Sequence, residues 1–223
     1  MRPLAAALAL CACAAAAEPL LSETRTCPGT GIAVAGADPA LAAHICRVAS
    51  TTAERLSRCG LPLGGPVAIA VVPALPEGCA GLYHCGERRI EMLAPAALAA
   101  ARRPDTAFAA IPEASYFDSL VAHELAHAAH DAVPCPFGTC EVTGEYVAYT
   151  AQIAALPEAD RAAFLAAAGV GAATRADLSL VLLKLDPARF AASAVRHLDA
   201  RPDPCAYLAA IGRGEIVLDR ERP

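Results

Sequence analysis

Tryptophan is absent from this chain of 223 residues, and aromatic residues make up 4% of it, so base-stacking platforms have little to draw on. Lysine occurs once, at Lys184. The basic doublets Arg88-Arg89 and Arg102-Arg103 are short, and the net charge of −5 is spread without blocks. No basic stripe with interleaved aromatics appears, which excludes the usual footprints of nucleic-acid and anionic-membrane binding. After the N-terminus no apolar run approaches transmembrane length. No CxxC pair exists, which argues against a cysteine-based zinc site. Repeats and long linkers are missing too, and the length suits one domain with a real core.

What is present begins with an export signal. Arg2 is a minimal positive region, Leu4–Ala14 is apolar, and Ala15-Ala16-Ala17 is a small-residue cleavage site, giving a signal over residues 1–17. A lipoprotein variant, with Cys13 lipidated, is the lesser alternative. Eight cysteines remain beyond the signal: Cys27, Cys46, Cys59, Cys79, Cys85, Cys135, Cys140 and Cys205. An even number in an exported chain points to disulfides in an oxidising compartment, periplasmic or secreted. Connectivity is open, but Cys79 with Cys85 and Cys135 with Cys140 would each close a short loop.

Asp38–Cys59 reads as a helix stopped by Gly60-Leu61-Pro62, and Pro66–Leu75 as a buried strand. Ala80–Leu93 reads as two strands around Cys85-Gly86-Glu87, with Arg88–Leu93 an edge strand. Pro95–Arg103 is a short helix or a loop. Ser115 with Asp118 three residues on suggests a capping box opening a helix to about Ala132. Further helices are expected at Thr143–Ala155, Glu158–Ala168, Ala176–Leu185, Ala188–Ala200 and from Cys205, with a possible strand at Ile216–Leu218. The order predicts an α+β fold and not a parallel α/β sheet. Residues 18–112 form a small mixed β-sheet lobe and residues 113–223 a helical lobe, with a cleft between them.

Three of the six histidines fall within VAHELAHAAH, Val121–His130. On a helix His123 and His127 lie about 40° apart and one turn apart, so two imidazole nitrogens can meet one zinc ion at about 2.0–2.1 Å. Glu124 is rotated by about 100° from His123 and can reach a metal-bound water without becoming a ligand. This is HExxH, with Leu120, Leu125 and Ala128 anchoring the helix. A catalytic zinc usually takes a third protein ligand. Six residues past His127 stands Val133, not histidine, so the third donor must come from elsewhere. Glu145, on the next predicted helix, is favoured over Glu141, because sites built on helices are more precise.

HELAH followed by Glu145 resembles the gluzincin branch of the zincin metallopeptidases, over roughly Ile90–Gln152. The resemblance implies Zn2+ held by His123, His127 and Glu145, with Glu124 as general base. It implies a cleft between a sheet lobe and a helical lobe, and a peptide or protein substrate paired with the edge strand, here Arg88–Leu93. There are departures. Many members carry an Asp four residues after the ligand Glu to orient a histidine, and here that position is Tyr149. Tyr149 shares a face with Glu145, so its hydroxyl either orients a ligand, stabilises the oxyanion or simply packs. The Gly-x-Met-Glu-Asn stretch of related aminopeptidases is missing, which weighs against that activity.

His197 is the candidate for a downstream transition-state donor, against a plain reading as a surface histidine near a helix C-terminus. His130 reads as a neighbour of the site, not a ligand. His84 and His44 read as structural, and Tyr146 and Gln152 as lining or packing. The leading expectation is an exported zinc-dependent peptidase. Its rivals are an inactive zincin-like binding or structural module stapled by disulfides, and an exported interaction protein in which HExxH is accidental.

Overall fold

A computed structural model describes residues 24–219. The signal and Cys13 lie outside the described residues. Asp38 opens the first helix, α1 (Pro39–Arg58): its carboxylate accepts from the Ala40 and Leu41 N–H groups at 2.9 Å, and Pro39 presets the first turn. Ala42, Ile45, Cys46, Ala49 and Leu56 form its buried stripe. Gly60, at φ +74°, lets the chain leave, and a Cβ there would meet that of Ala209 at 2.8 Å.

On either side of α1 run the strands β1 (Arg25–Thr26), β2 (Ile32–Ala35) and β3 (Val67–Val72), followed by the hairpin β4 (Gly81–His84) and β5 (Arg89–Leu93). The five-stranded sheet has the order β1-β2-β3-β5-β4. Its centre, β2-β3-β5, is parallel, and β1 and β4 pair antiparallel at the two edges. The sheet is therefore mixed with a parallel centre, more parallel than the sequence suggested. The edge beside the hairpin is β4 and not Arg88–Leu93. Ile90, Met92 and Leu93 make β5 the more apolar arm, so it takes the covered position and leaves β4 outside.

The remaining helices are α2 (Pro95–Ala101), α3 (Glu113–His130), α4 (Glu141–Ala155), α5 (Glu158–Ala168), α6 (Leu180–Leu185), α7 (Pro187–Asp199) and α8 (Pro204–Gly212), with 3-10 turns at Ala107–Ala110 and Arg175–Asp177. The molecule is thus α+β, a small mixed sheet followed by helices. The segment expected as one helix over Ala176–Leu185 divides because Thr174 and Ser179 each cap a new start. The expected capping box of α3 is not made. Pro112 occupies the cap position, Ser115 Oγ donates to Asp160 at 2.5 Å, and Asp118 lies 2.5 Å from His44 Nε2, so both side chains serve tertiary contacts. Ile216–Leu218 forms no strand.

α3 is the fold's central element. Leu120, Val121, Leu125 and Ala128 pack into the core under the sheet, while Ala126 and Ala129 pack into a second core with α4, α7 and α8. A helix apolar on both sides is buried on both sides. Disulfides join Cys27 to Cys46, Cys59 to Cys205 and Cys135 to Cys140. The Cys79–Cys85 expectation is corrected: both are free thiols. They flank β4, and an extended strand rising about 3.3 Å per residue holds them beyond disulfide reach. No described helix is long and apolar enough to cross a membrane.

Candidate metal centre

Two neighbouring helices build the site. His130 approaches Gly144, His127 faces Glu145, and His123 meets Glu145 and Gln152, so α4 runs antiparallel to α3. The two Nε2 atoms of His123 and His127 lie 3.1 Å apart. Glu145 Oε2 is 3.5 Å from His123 Nε2, and its Oε1 is 3.5 Å from His127 Nε2. The edge of a tetrahedron with metal–nitrogen bonds of about 2.05 Å measures ~3.3 Å, between those two spacings. His123, His127 and Glu145 form a group able to hold a metal ion, their donor atoms all within 4.8 Å of one another.

Hydrogen bonding fixes which lone pairs face inward. Ser119 Oγ donates to the Tyr116 carbonyl at 2.7 Å and accepts from Gln152 Nε2 at 3.3 Å. That orients the amide so that Gln152 Oε1 faces His123 Nδ1 at 2.9 Å. His123 therefore carries its proton on Nδ1 and turns a bare Nε2 to the centre. Two imidazole nitrogens at that spacing share either the Nε2 proton of a neutral His127 or a metal ion between them, and the donor set can hold a metal. Gln152 fills the orienting role that was sought at Tyr149. Its place, seven residues past Glu145, is two turns along the same face of α4.

Burial sets the charge state. His123 is held well below the usual imidazole range by burial and then by His127. His127 is lowered to about 4 by burial and then by His130. Burial, with Glu141 next, raises Glu145 to about 7. Glu124 is raised to about 8 by burial and by Glu145, offset by the backbone N–H of Tyr83. The imidazoles are thus neutral and available as ligands, and a cation at the centre would favour the ionised carboxylates.

Glu124 lies against β4. A Cβ on Gly81 would stand 2.5 Å from Glu124 Oε1 and 2.9 Å from its Cδ, so a larger residue there would displace this carboxylate. Tyr83 stacks beside His127, with ring centroids 6.5 Å apart, and its hydroxyl donates to Asp131 Oδ2 at 2.9 Å. Asp131 also accepts from the Gly86 N–H at 3.1 Å, which pins the β4 hairpin to the end of α3. None of these partners is marked in the sequence, since each lies about 40 or more positions from what it touches.

The other expected residues divide. Tyr149 sits edge-on to His123 with centroids 4.6 Å apart, and burial, Glu145 and Tyr116 push its hydroxyl pKa upward. His197 is no surface histidine. It is 2% exposed, its Nδ1 lies 3.0 Å from the Tyr146 hydroxyl, and its ring meets Tyr146 and Tyr207. Among the described residues its polar and ring contacts are with that cluster, not with the triad. Its helix is strongly amphipathic, and the stripe with Phe190, Ala194 and Val195 carries His197 inward. Glu141 is taken by Lys184. His130 lies beside the group, its Nε2 buried and without a hydrogen bond among the described residues. His44 and His84 are structural, paired with Asp118 at 2.5 Å and Glu91 at 3.0 Å.

Fold and site together define an α+β protein in which two adjacent helices, α3 and α4, converge a His-His-Glu group able to hold a metal. The chain belongs to the family described as "Family of unknown function (DUF6639)", whose model matches residues 32–221. No curated protein and no solved structure matches it.

Proposed function

We propose that this protein is an exported zinc-dependent hydrolase of the gluzincin kind, acting on peptide bonds, with His123, His127 and Glu145 as ligands. One observation carries the reading: the two HExxH imidazoles and a carboxylate from the next helix converge at spacings of 3.1 and 3.5 Å, with Glu124 buried alongside. Bound zinc would polarise a carbonyl and bring a water's pKa toward about 7. Glu124 accepts a proton from the attacking water and returns it to the leaving amine. The Tyr83 N–H and the flat Cα of Gly81 hold its carboxylate in place. Tyr149, edge-on to His123, offers its hydroxyl to the oxyanion.

The substrate would lie along β4. The Leu93 N–H donates to the Ala80 carbonyl at 3.1 Å, so Ala80, Leu82 and His84 bond inward to β5. Gly81 and Tyr83 alternate with them and turn their backbone groups to the open edge, where the Tyr83 N–H meets Glu124 and the Gly81 N–H and the two carbonyls face a substrate strand. Three disulfides support export. Replacing Glu124 by Gln should keep zinc bound and lower hydrolysis of a casein-type substrate by orders of magnitude. Undiminished proteolysis by Glu124→Gln would defeat the mechanism. The inert-module alternative requires that a broad peptide screen show no chelator-sensitive turnover.

A further inference from the structure

The helix that supplies Glu145 starts badly. Its first turn reads Glu141-Val142-Thr143-Gly144, two β-branched residues and a glycine, all poor helix formers. Cys140 stands at the cap position and provides no side-chain hydrogen bond. The chain before it, through Pro134–Thr139, is largely exposed. Val142, Thr143 and Gly144 are nonetheless buried, so the N–H groups that open this turn need partners within the protein, and Glu145 is the first residue beyond it.

The missing cap arrives from the other end of the protein. Asp219 Oδ1 accepts from the Val142 N–H at 2.9 Å, and Oδ2 accepts from the Thr143 N–H at 3.0 Å and the Thr143 hydroxyl at 2.6 Å. The Leu218 N–H donates to that same hydroxyl at 2.8 Å. Leu218 is 2% exposed, in one core cluster with Val142, and Arg175 Nη2 donates to the Val217 carbonyl at 2.8 Å. A carboxylate there also complements the positive end of the α4 dipole.

We infer that Val217–Asp219 is a clamp on the metal centre: Asp219 is a positioning residue that holds the first turn of α4 and, through it, the Glu145 carboxylate against the two imidazoles. The inference rests on the metal-site reading, since Glu145 is positioned for an ion. Aspartate caps elsewhere in the fold make the test internal, because Asp38 and Asp203 cap α1 and α8 as Asp219 caps α4. The probe is Co2+ added to metal-free full-length protein, followed by its d–d absorption, with backbone amide exchange read in parallel.

Asp219→Ala should weaken Co2+ binding about tenfold, the factor by which loss of an N-cap shifts the population of an ordered turn. Asp219→Asn keeps one acceptor oxygen and turns an amide NH2 toward the remaining donors, so it should restore only part of the affinity. Asp38→Ala and Asp203→Ala should lower the unfolding midpoint comparably and leave Co2+ affinity unchanged. Equal affinity in Asp219→Ala and wild type, or equal weakening by all three alanine variants, overturns the clamp. If wild type itself takes up no Co2+, the metal-site reading falls. The clamp is then decided by exchange at the Val142 and Thr143 amides, which Asp219→Ala must accelerate and otherwise does not survive.

Discussion

The two helices of the metal centre are held in place by different means. α3 presents His123, Glu124 and His127 from a segment whose neighbours are buried on both sides: Val121, Leu125 and Ala126 are no more than 1% exposed. Its position follows from packing, and close-packed interiors deform little. α4 delivers Glu145 from a first turn of weak helix formers behind an exposed loop, tied by the Cys135–Cys140 disulfide and by Asp219. The residues around Glu145 are buried as deeply, with Tyr146, Val147 and Ala148 no more than 1% exposed, so the difference lies at the first turn of α4, where polar ties supplement the packing. Substitution at those ties should move metal affinity more than global stability, and substitution in the α3 core the reverse.

The largest effect should come from the packed side. Leu125→Ala opens a cavity between the sheet and α3 and should cost about 2–5 kcal/mol in denaturant unfolding. A cost below about 1 kcal/mol would mean that the core does not hold α3. Next comes the polar link between the helices. Gln152→Leu removes the acceptor for His123 Nδ1 and should weaken zinc binding about 10–100-fold in a chelator competition. Nitrogen-15 NMR of the metal-free variant should show His123 losing its fixed Nδ1–H tautomer, and an unchanged tautomer would remove Gln152 from the account. The smallest effect sharpens the weak side. A Cβ on Gly144 meets His130 Nδ1 at 3.7 Å and His127 Nδ1 at 3.9 Å, ordinary contact distances. Gly144→Ala should therefore stabilise the first turn by about 0.5–1 kcal/mol, visible as a higher thermal midpoint. A fall in midpoint would show that this turn is not limited by helix propensity.

How much of this was legible in the sequence follows the same division. The HExxH spacing is a property of one helix, so its imidazoles and Glu124 could be placed from local periodicity. Glu145 was reachable because only one loop separates its helix from the motif. Gln152 was legible as lining or packing but its bond to His123 was not, and Gly81 and Asp219 were not legible at all, because their roles exist only once distant segments meet. Tyr149 was singled out by its spacing from Glu145, yet the orienting hydrogen bond comes from Gln152, one turn further. His197 stood as a transition-state donor or a surface histidine near a helix end, and the amphipathic stripe of α7 carries it inward against Tyr146 and Tyr207. The edge strand was assigned to the alternating arm of the hairpin, whereas burial of Ile90 and Met92 beside β3 decides which arm is covered. Ile216–Leu218 has strand-like composition, but its backbone groups are used on Arg175 and Thr143.

The central claim is that three side chains from two helices hold one ion. Zinc content by mass spectrometry on protein purified without chelators tests it most directly, in wild type and in Glu145→Ala. One zinc per chain in wild type and a small fraction of that in Glu145→Ala is the predicted pair of results. Zinc far below one per chain in wild type, or full occupancy in Glu145→Ala, would contradict it.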